Sequence, residues 1–211
     1  MSFEDYTRMA EEVKNVGCIP MATPFDENSV DVCMQLGFEI IKIASSDAND
    51  WPLIQKVAET NKPVIVSNGG LSEKDLDDLV TFFENRKIPL AINHCVSLYP
   101  SEDSELMLDQ IDYLKERYPN NLIGFSSHEY HDWASSMFIS YSKGARTWER
   151  HIDVNYEGKD WEGKNVSVYC SKPEDTNSWF KSYYKAKEMC GGINSSKRVI
   201  SNKEIKYLDE L

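Results

Sequence analysis

The chain has 211 residues, enough to bury one substantial core, so a single domain with a short tail is expected. A formal charge of −12 argues against a nucleic-acid partner, because gripping phosphates needs clustered lysine and arginine. No apolar run approaches the roughly 18 residues that span a bilayer, and the opening MSFEDYTRMAEE is too charged for a secretion signal, so no membrane association and a cytoplasmic location are expected.

Phe3, Tyr6, Met9, Ala10 and Val13 recur at helical spacing, which predicts that the chain begins on a helix. Short β-rich runs follow at residues 18–23, 38–44, 63–67, 89–94, 122–127 and 145–152, with amphipathic stretches between them. Ser72-Glu73-Lys74-Asp75 reads as a capping box opening a helix buried through Leu79, Val80 and Phe83. A helix over 105–117 sets Leu106, Ile111 and Leu114 inward and ends before Pro119. Residues 155–165, polar and glycine-bearing, are expected to form a loop. Pro173 then starts a last helix expected to bury Trp179, Phe180, Tyr183 and Met189 and to stop near Gly191-Gly192. Cys18, Cys33, Cys95, Cys170 and Cys190 form no CxxC pair and are expected to be reduced.

Near-continuous apolar strands, each followed by a helix, imply an α/β fold with a parallel sheet covered on both faces. The spacing of roughly 25 residues per unit is that of a (β/α)8 TIM barrel, and six units by Ile152 leave two unaccounted for. A complete six-stranded open sheet fits the same pattern.

In such folds the chemistry gathers where strands end. Thr23, Lys42 and Ser45, Ser67 before Asn68-Gly69-Gly70, Ser97 and Tyr99, Ser126 with His128, and Glu149 with His151 all stand there. Lys42 interrupts an apolar strand, where an ammonium needs an anionic partner. Hydroxyls of Thr23, Ser67 and Ser126 suit phosphate. If the runs ending at His128 and His151 are neighbouring strands, the two imidazoles emerge at one rim about 5 Å apart, a spacing a divalent metal can bridge. His94 and His131 lack a second ligand at recognisable spacing and read as structural. His128-Glu129-Tyr130-His131 has its histidines three apart, not the four of a zinc-protease helix.

Together MATPFDENSV, LGFEIIKIASSDANDWPLIQKVAETNKPVIVSNGG, NHCVSLYPSED, IGFSSHEY and ARTWERHI resemble the sialic acid synthase family, whose members join phosphoenolpyruvate to N-acylated amino sugars. By resemblance Thr23, Lys42, Ser67 and Ser126 hold phosphoenolpyruvate, and Asp47, Ser97 and Tyr99 contact an N-acetylmannosamine-type acceptor. His128 and His151 bind manganese or magnesium. Lys42, Asp47 and Glu149 are the residues expected to carry catalysis, with Ser45 beside them in the substrate site and Asp160 assigned as the acidic sugar contact of the 155–165 loop. The sequence departs from the family at Asp47, where glutamate is usual, at Ser127, where aspartate precedes the metal histidine, and at Ser97, where some members have asparagine.

The resemblance implies an aldol-like condensation giving a nonulosonic acid and phosphate. It also implies that residues 1–192 form a partial barrel lacking the first two strands, which in the family carry a catalytic glutamate and a Lys-x-Gln pair. Residues 193–211 would be a linker toward an antifreeze-like domain that is absent here. Little turnover by the isolated chain is then expected, with a homodimer or a complementing chain closing the open edges. A metal-free aldolase using Lys42 as a Schiff-base nucleophile, or a non-catalytic assembly subunit, are the alternative readings.

Overall fold

A computed structural model describes residues 2–153, 167–191 and 198–210. The elements alternate along the chain. They are α1 (Phe3–Asn15), β1 (Met21–Ala22), α2 (Glu27–Gln35), β2 (Ile40–Ile43), α3 (Trp51–Glu59), β3 (Val64–Ser67), α4 (Glu73–Asn85), β4 (Leu90–Cys95), α5 (Gln110–Arg117), β5 (Leu122–Ser127), α6 (Trp133–Lys143), β6 (Trp148–Arg150), α7 (Pro173–Met189) and α8 (Asn202–Asp209).

The helices start where side chains satisfy the first free N–H groups. Asp26 accepts from Ser29 N at 2.7 Å, Asp50 from Leu53 N at 3.2 Å, and Asp132 from Ala134 N and Ser135 N at 3.1 Å. Ser72 caps α4 by accepting from Asp75 N at 3.2 Å, while its own hydroxyl donates to the Asp75 carboxylate. Gly144, at φ +100°, ends α6 in a left-handed turn that a side chain would strain.

All six strands lie in one parallel sheet in sequence order, β1 to β6. The sheet curls. Lys42 on β2 and Glu149 on β6 stand four strands apart, which in a flat sheet is about 19 Å, yet Nζ and Oε2 are 3.3 Å apart. The result is a six-stranded parallel half-barrel, paired at β1 only with β2 and at β6 only with β5 among the described residues.

Register and alternation then sort the side chains. Ile43, Val66, Ile92 and Ile123 fall on the convex face and make, with Leu53, Leu79, Phe83 and Ile111 of the covering helices, the buried core. Lys42, Ser67, Asn93, Gly124, Ser126 and Glu149 fall on the concave face. Lys42 therefore interrupts an apolar run without entering the apolar core.

Three expectations need correction. The helix expected over 105–117 begins only at Gln110, after a separate 3-10 turn at Asp103–Glu105, because Met107 adopts φ +48° and breaks the helical path. The first and last strands shorten to Met21–Ala22 and Trp148–Arg150, since each has a partner on one side only. In α7 only Ala186 is buried, while Phe180 and Met189 are 49% and 70% exposed, because the helix packs mainly against α6 and meets the sheet through Tyr183 on Trp148. Beyond residue 197 the tail carries α8, and no helix among the described residues is long and apolar enough to cross a membrane. All five cysteines are free.

Candidate active site

A cavity of about 700 Å³ opens at the carboxyl ends of the strands. Thr23, Lys42, Ser45, Ser97, Tyr99, Glu149 and His151 line it, joined by Gly69 and Gly70 from the turn after β3. A second cavity of about 430 Å³ lies between β6 and α7 around Ile65, Trp148, Trp179 and Tyr183, and its apolar walls bring no acid, base or nucleophile together.

Lys42 is 3% exposed. Its ammonium pairs with Glu149 and also donates to the Ile43 carbonyl at 3.1 Å. Glu149 in turn accepts from Asn93 Nδ2 at 3.4 Å, and Asn93 Oδ1 accepts from Thr147 Oγ1 at 2.6 Å. A chain of polar groups thus links Lys42 on β2 through Glu149 on β6 to Asn93 on β4 across the concave face. Ser67 Oγ is buried without a hydrogen-bond partner among the described residues. Such an orphan hydroxyl is unusual and is satisfied when an acceptor enters.

Past the end of β5, His128 is buried, and past β6, His151 opens onto the cavity. Their ring centroids are 5.3 Å apart. His128 Nδ1 lies 3.0 Å from the Val96 carbonyl, which can only accept, so the proton sits on Nδ1 and the Nε2 lone pair is free. Burial pushes the His128 imidazole below its ordinary pKa, against the pull of the Val96 carbonyl. Burial does the same to His151, against the attraction of Glu149. Two neutral rings, one oriented through its other nitrogen, are the donor set of a borderline divalent cation. Among the described residues no group of three or more His, Cys, Asp or Glu side chains is placed to hold a metal ion.

Tyr99 lies over His128, centroids 4.0 Å apart, and Tyr169 stands edge-on to His151 at 5.3 Å. Behind the histidines, on the convex side, the guanidinium of Arg150 and the carboxylate of Glu129 form a buried pair at 3.4 Å.

The chain matches the NeuB family over residues 1–194. It belongs to that family. It is 34% identical over 162 residues to N-acetylneuraminate-9-phosphate synthase of Drosophila melanogaster, covering 75% of this chain and 43% of that protein. It is 31% identical over 161 residues to pseudaminic acid synthase of Campylobacter jejuni, covering 75% and 46%. Among solved structures, one described as spore coat polysaccharide biosynthesis protein E of Chromobacterium violaceum superposes with a TM-score of 0.89 at 31% identity, over 99% of this chain and 60% of that one. The NeuB chain thus spans less than half the length of the two curated relatives.

Of the residues singled out from sequence, Thr23, Lys42, Ser45, Ser97, Tyr99, Glu149 and His151 meet around the cavity, and Ser67 and Ser126 share its concave face. Asp47 does not line it; its carboxylate accepts from Ser46 Oγ at 2.7 Å. Asp160 lies outside the described residues. His94 bonds the Leu106 carbonyl at 2.8 Å and His131 sits 3.7 Å from Glu102 on the surface, away from the cavity. Sequence reasoning missed Asn93, Tyr169 and the Arg150–Glu129 pair. Asn93 carried a signal, a polar residue in the apolar run Leu90-Ala91-Ile92, of the same kind that marked Lys42.

Proposed function

We propose that this NeuB chain carries the substrate site of a synthase condensing phosphoenolpyruvate with the open-chain aldehyde of an N-acylated amino sugar, giving a nonulosonic acid and phosphate. The observation that supports it most is the buried, ion-paired Lys42 lining the same cavity as His151, whose ring lies 5.3 Å from that of His128.

In this reading the Lys42 ammonium holds the phosphate or carboxylate of phosphoenolpyruvate, with the Ser67, Ser126 and Thr23 hydroxyls as further donors. Ser67 Oγ then gains the partner it lacks. His128 and His151 hold Mn2+ or Mg2+, which when bound supplies a Lewis acid for the acceptor's carbonyl oxygen. Glu149 orients the ammonium and is within reach to carry a proton. Tyr99 and Ser97 face the acceptor, and Asp47, outside the cavity wall, acts on it only through the neighbouring Ser46. C3 of phosphoenolpyruvate bonds to the aldehyde carbon, water adds at C2, and phosphate leaves. The unpaired edges of β1 and β6 are completed by a further segment or chain, and the cytoplasm is the compartment that supplies phosphoenolpyruvate.

An aldolase using Lys42 as a nucleophile is the weaker reading, since an ammonium paired with a carboxylate is the form that grips an anion, not the neutral amine that attacks a carbonyl. The test is binding. Phosphoenolpyruvate should bind, Lys42→Met should weaken it at least about tenfold by loss of a charged hydrogen bond, and borohydride with pyruvate should leave no adduct. Equal binding by the variant, or a trapped adduct, would remove the proposal.

A further inference from the structure

Arg150 is the residue between Glu149 and His151, and its side chain is 3% exposed. It turns away from the cavity, to the face of the sheet opposite Glu149. Its Nη1 donates to Ser127 Oγ at 3.0 Å and its Nη2 to the Glu129 carbonyl at 2.8 Å, so it binds the residues on either side of His128. Its Nε donates to Ser171 Oγ, and Ser171 N donates to the His151 carbonyl at 2.9 Å. The Trp133 ring closes one face of the guanidinium at 4.0 Å and donates its own Nε1 to the Glu129 carbonyl at 2.9 Å. Glu129, 0% exposed, supplies the compensating charge and is itself held by Ser136 Oγ.

A buried ion pair is a poor device for stability, because desolvating both charges offsets most of their attraction. It is a good device for geometry. A guanidinium presents its donors in one rigid plane, and here that plane serves the flanks of both histidines at once. We propose that Arg150, neutralised by Glu129, is a positioning residue that sets the separation and orientation of His128 and His151. The inference rests on the metal-site reading above and deepens it.

Two variants test it: Arg150→Lys, and the paired Arg150→Met/Glu129→Leu, which removes both charges together and so spares the fold an uncompensated one. Mn2+ affinity is read from the free-ion electron spin resonance signal, and imidazole geometry from side-chain 15N spectra of the metal-free protein. Arg150→Lys and the paired variant should melt cooperatively, bind Mn2+ about tenfold or more weakly, and lose the single Nδ1–H form of His128. Folded variants that bind Mn2+ as tightly as the parent and keep its imidazole spectrum would overturn the proposal. A parent that binds no Mn2+, with variants that still scramble the His128 spectrum, removes the metal reading and leaves the positioning role standing.

Discussion

Lys42 and Glu149 meet at 3.3 Å across the hollow of the sheet, with the lysine side chain 4% exposed and the carboxylate 43% exposed. The unequal burial makes the two residues unequal partners. Glu149→Gln leaves a buried ammonium with the Ile43 carbonyl and a neutral amide, and should cost about 1–2 kcal/mol, less than a fully buried pair because the carboxylate is half in water. Lys42→Met removes the buried charge and fills its space, so the melting temperature should hold or rise while the proposed phosphoenolpyruvate binding weakens. Paired thermal melts and binding titrations check this. A large loss of stability in Lys42→Met would mean that the lysine serves the fold.

Two glycines on the concave side predict opposite consequences. A Cβ at Gly124 would overlap Asn93 Oδ1, Thr147 Oγ1 and the Thr147 backbone carbonyl. The last cannot swing aside. Gly124→Ala should therefore break the Asn93–Thr147 bond, push β6 outward and cost about 3 kcal/mol. At Gly69 the overlaps are with the side chains of Ser97, Ser45 and Cys95. Ser97 is exposed and can rotate, so Gly69→Ala should stay folded yet narrow the cavity and weaken acceptor-sugar binding. Denaturant midpoints set beside sugar affinities separate the two cases.

The cation proposed at His128 and His151 would bind the folded chain and not the unfolded one, and so would stabilise it. At about 100 times the dissociation constant the gain is about 2.7 kcal/mol, which for a chain of this size raises the melting temperature by about 5–10 °C. Mn2+ should produce that rise, a chelator should reverse it, and His128→Ala or His151→Ala should abolish it. A rise of equal size in both variants would place the cation elsewhere.

The architecture was legible because its signals are local. Period-two and near-continuous apolar runs mark strands, and Ser72 or Pro173 mark helix starts, without any knowledge of what lies opposite. Lys42 was legible too, since an ammonium among Ile40, Ile41 and Ile43 demands an anion wherever the strand lies. Which anion could not be read. Glu149 is 107 positions along the chain, and only the curl of the sheet brings it over Lys42. The Arg150–Glu129 pair escaped notice for the same reason, since charged residues beside strand ends are usually solvated. Phe180 and Met189 misled in the other direction, because helical spacing tells which face of α7 is apolar but not whether anything covers it.

His94 gives a pH dependence that needs no ligand. It lies on the convex face, stacked on Phe125 with centroids 6.0 Å apart, and its Nε2 bonds the Leu106 carbonyl. Burial pushes its imidazole below its ordinary pKa, outweighing the Leu106 carbonyl, so the folded state holds it neutral. The unfolded chain takes up the proton first. Stability is then whole above about pH 6.5 and falls as the pH drops below that value, by up to about 1.4 kcal/mol per pH unit for each such histidine. His128 and His151 act with the same sign, whereas exposed carboxylates held low by hydrogen bonds, such as Asp26 and Asp132, act only below about pH 4. His94→Gln can still donate to Leu106 and does not titrate. Measured with a chelator present between pH 8 and pH 5, its unfolding free energy should fall less steeply than the parent's below about pH 6.5. Parallel profiles would mean that His94 titrates alike in the folded and unfolded chains, which a ring held between Phe125 and a single carbonyl should not allow.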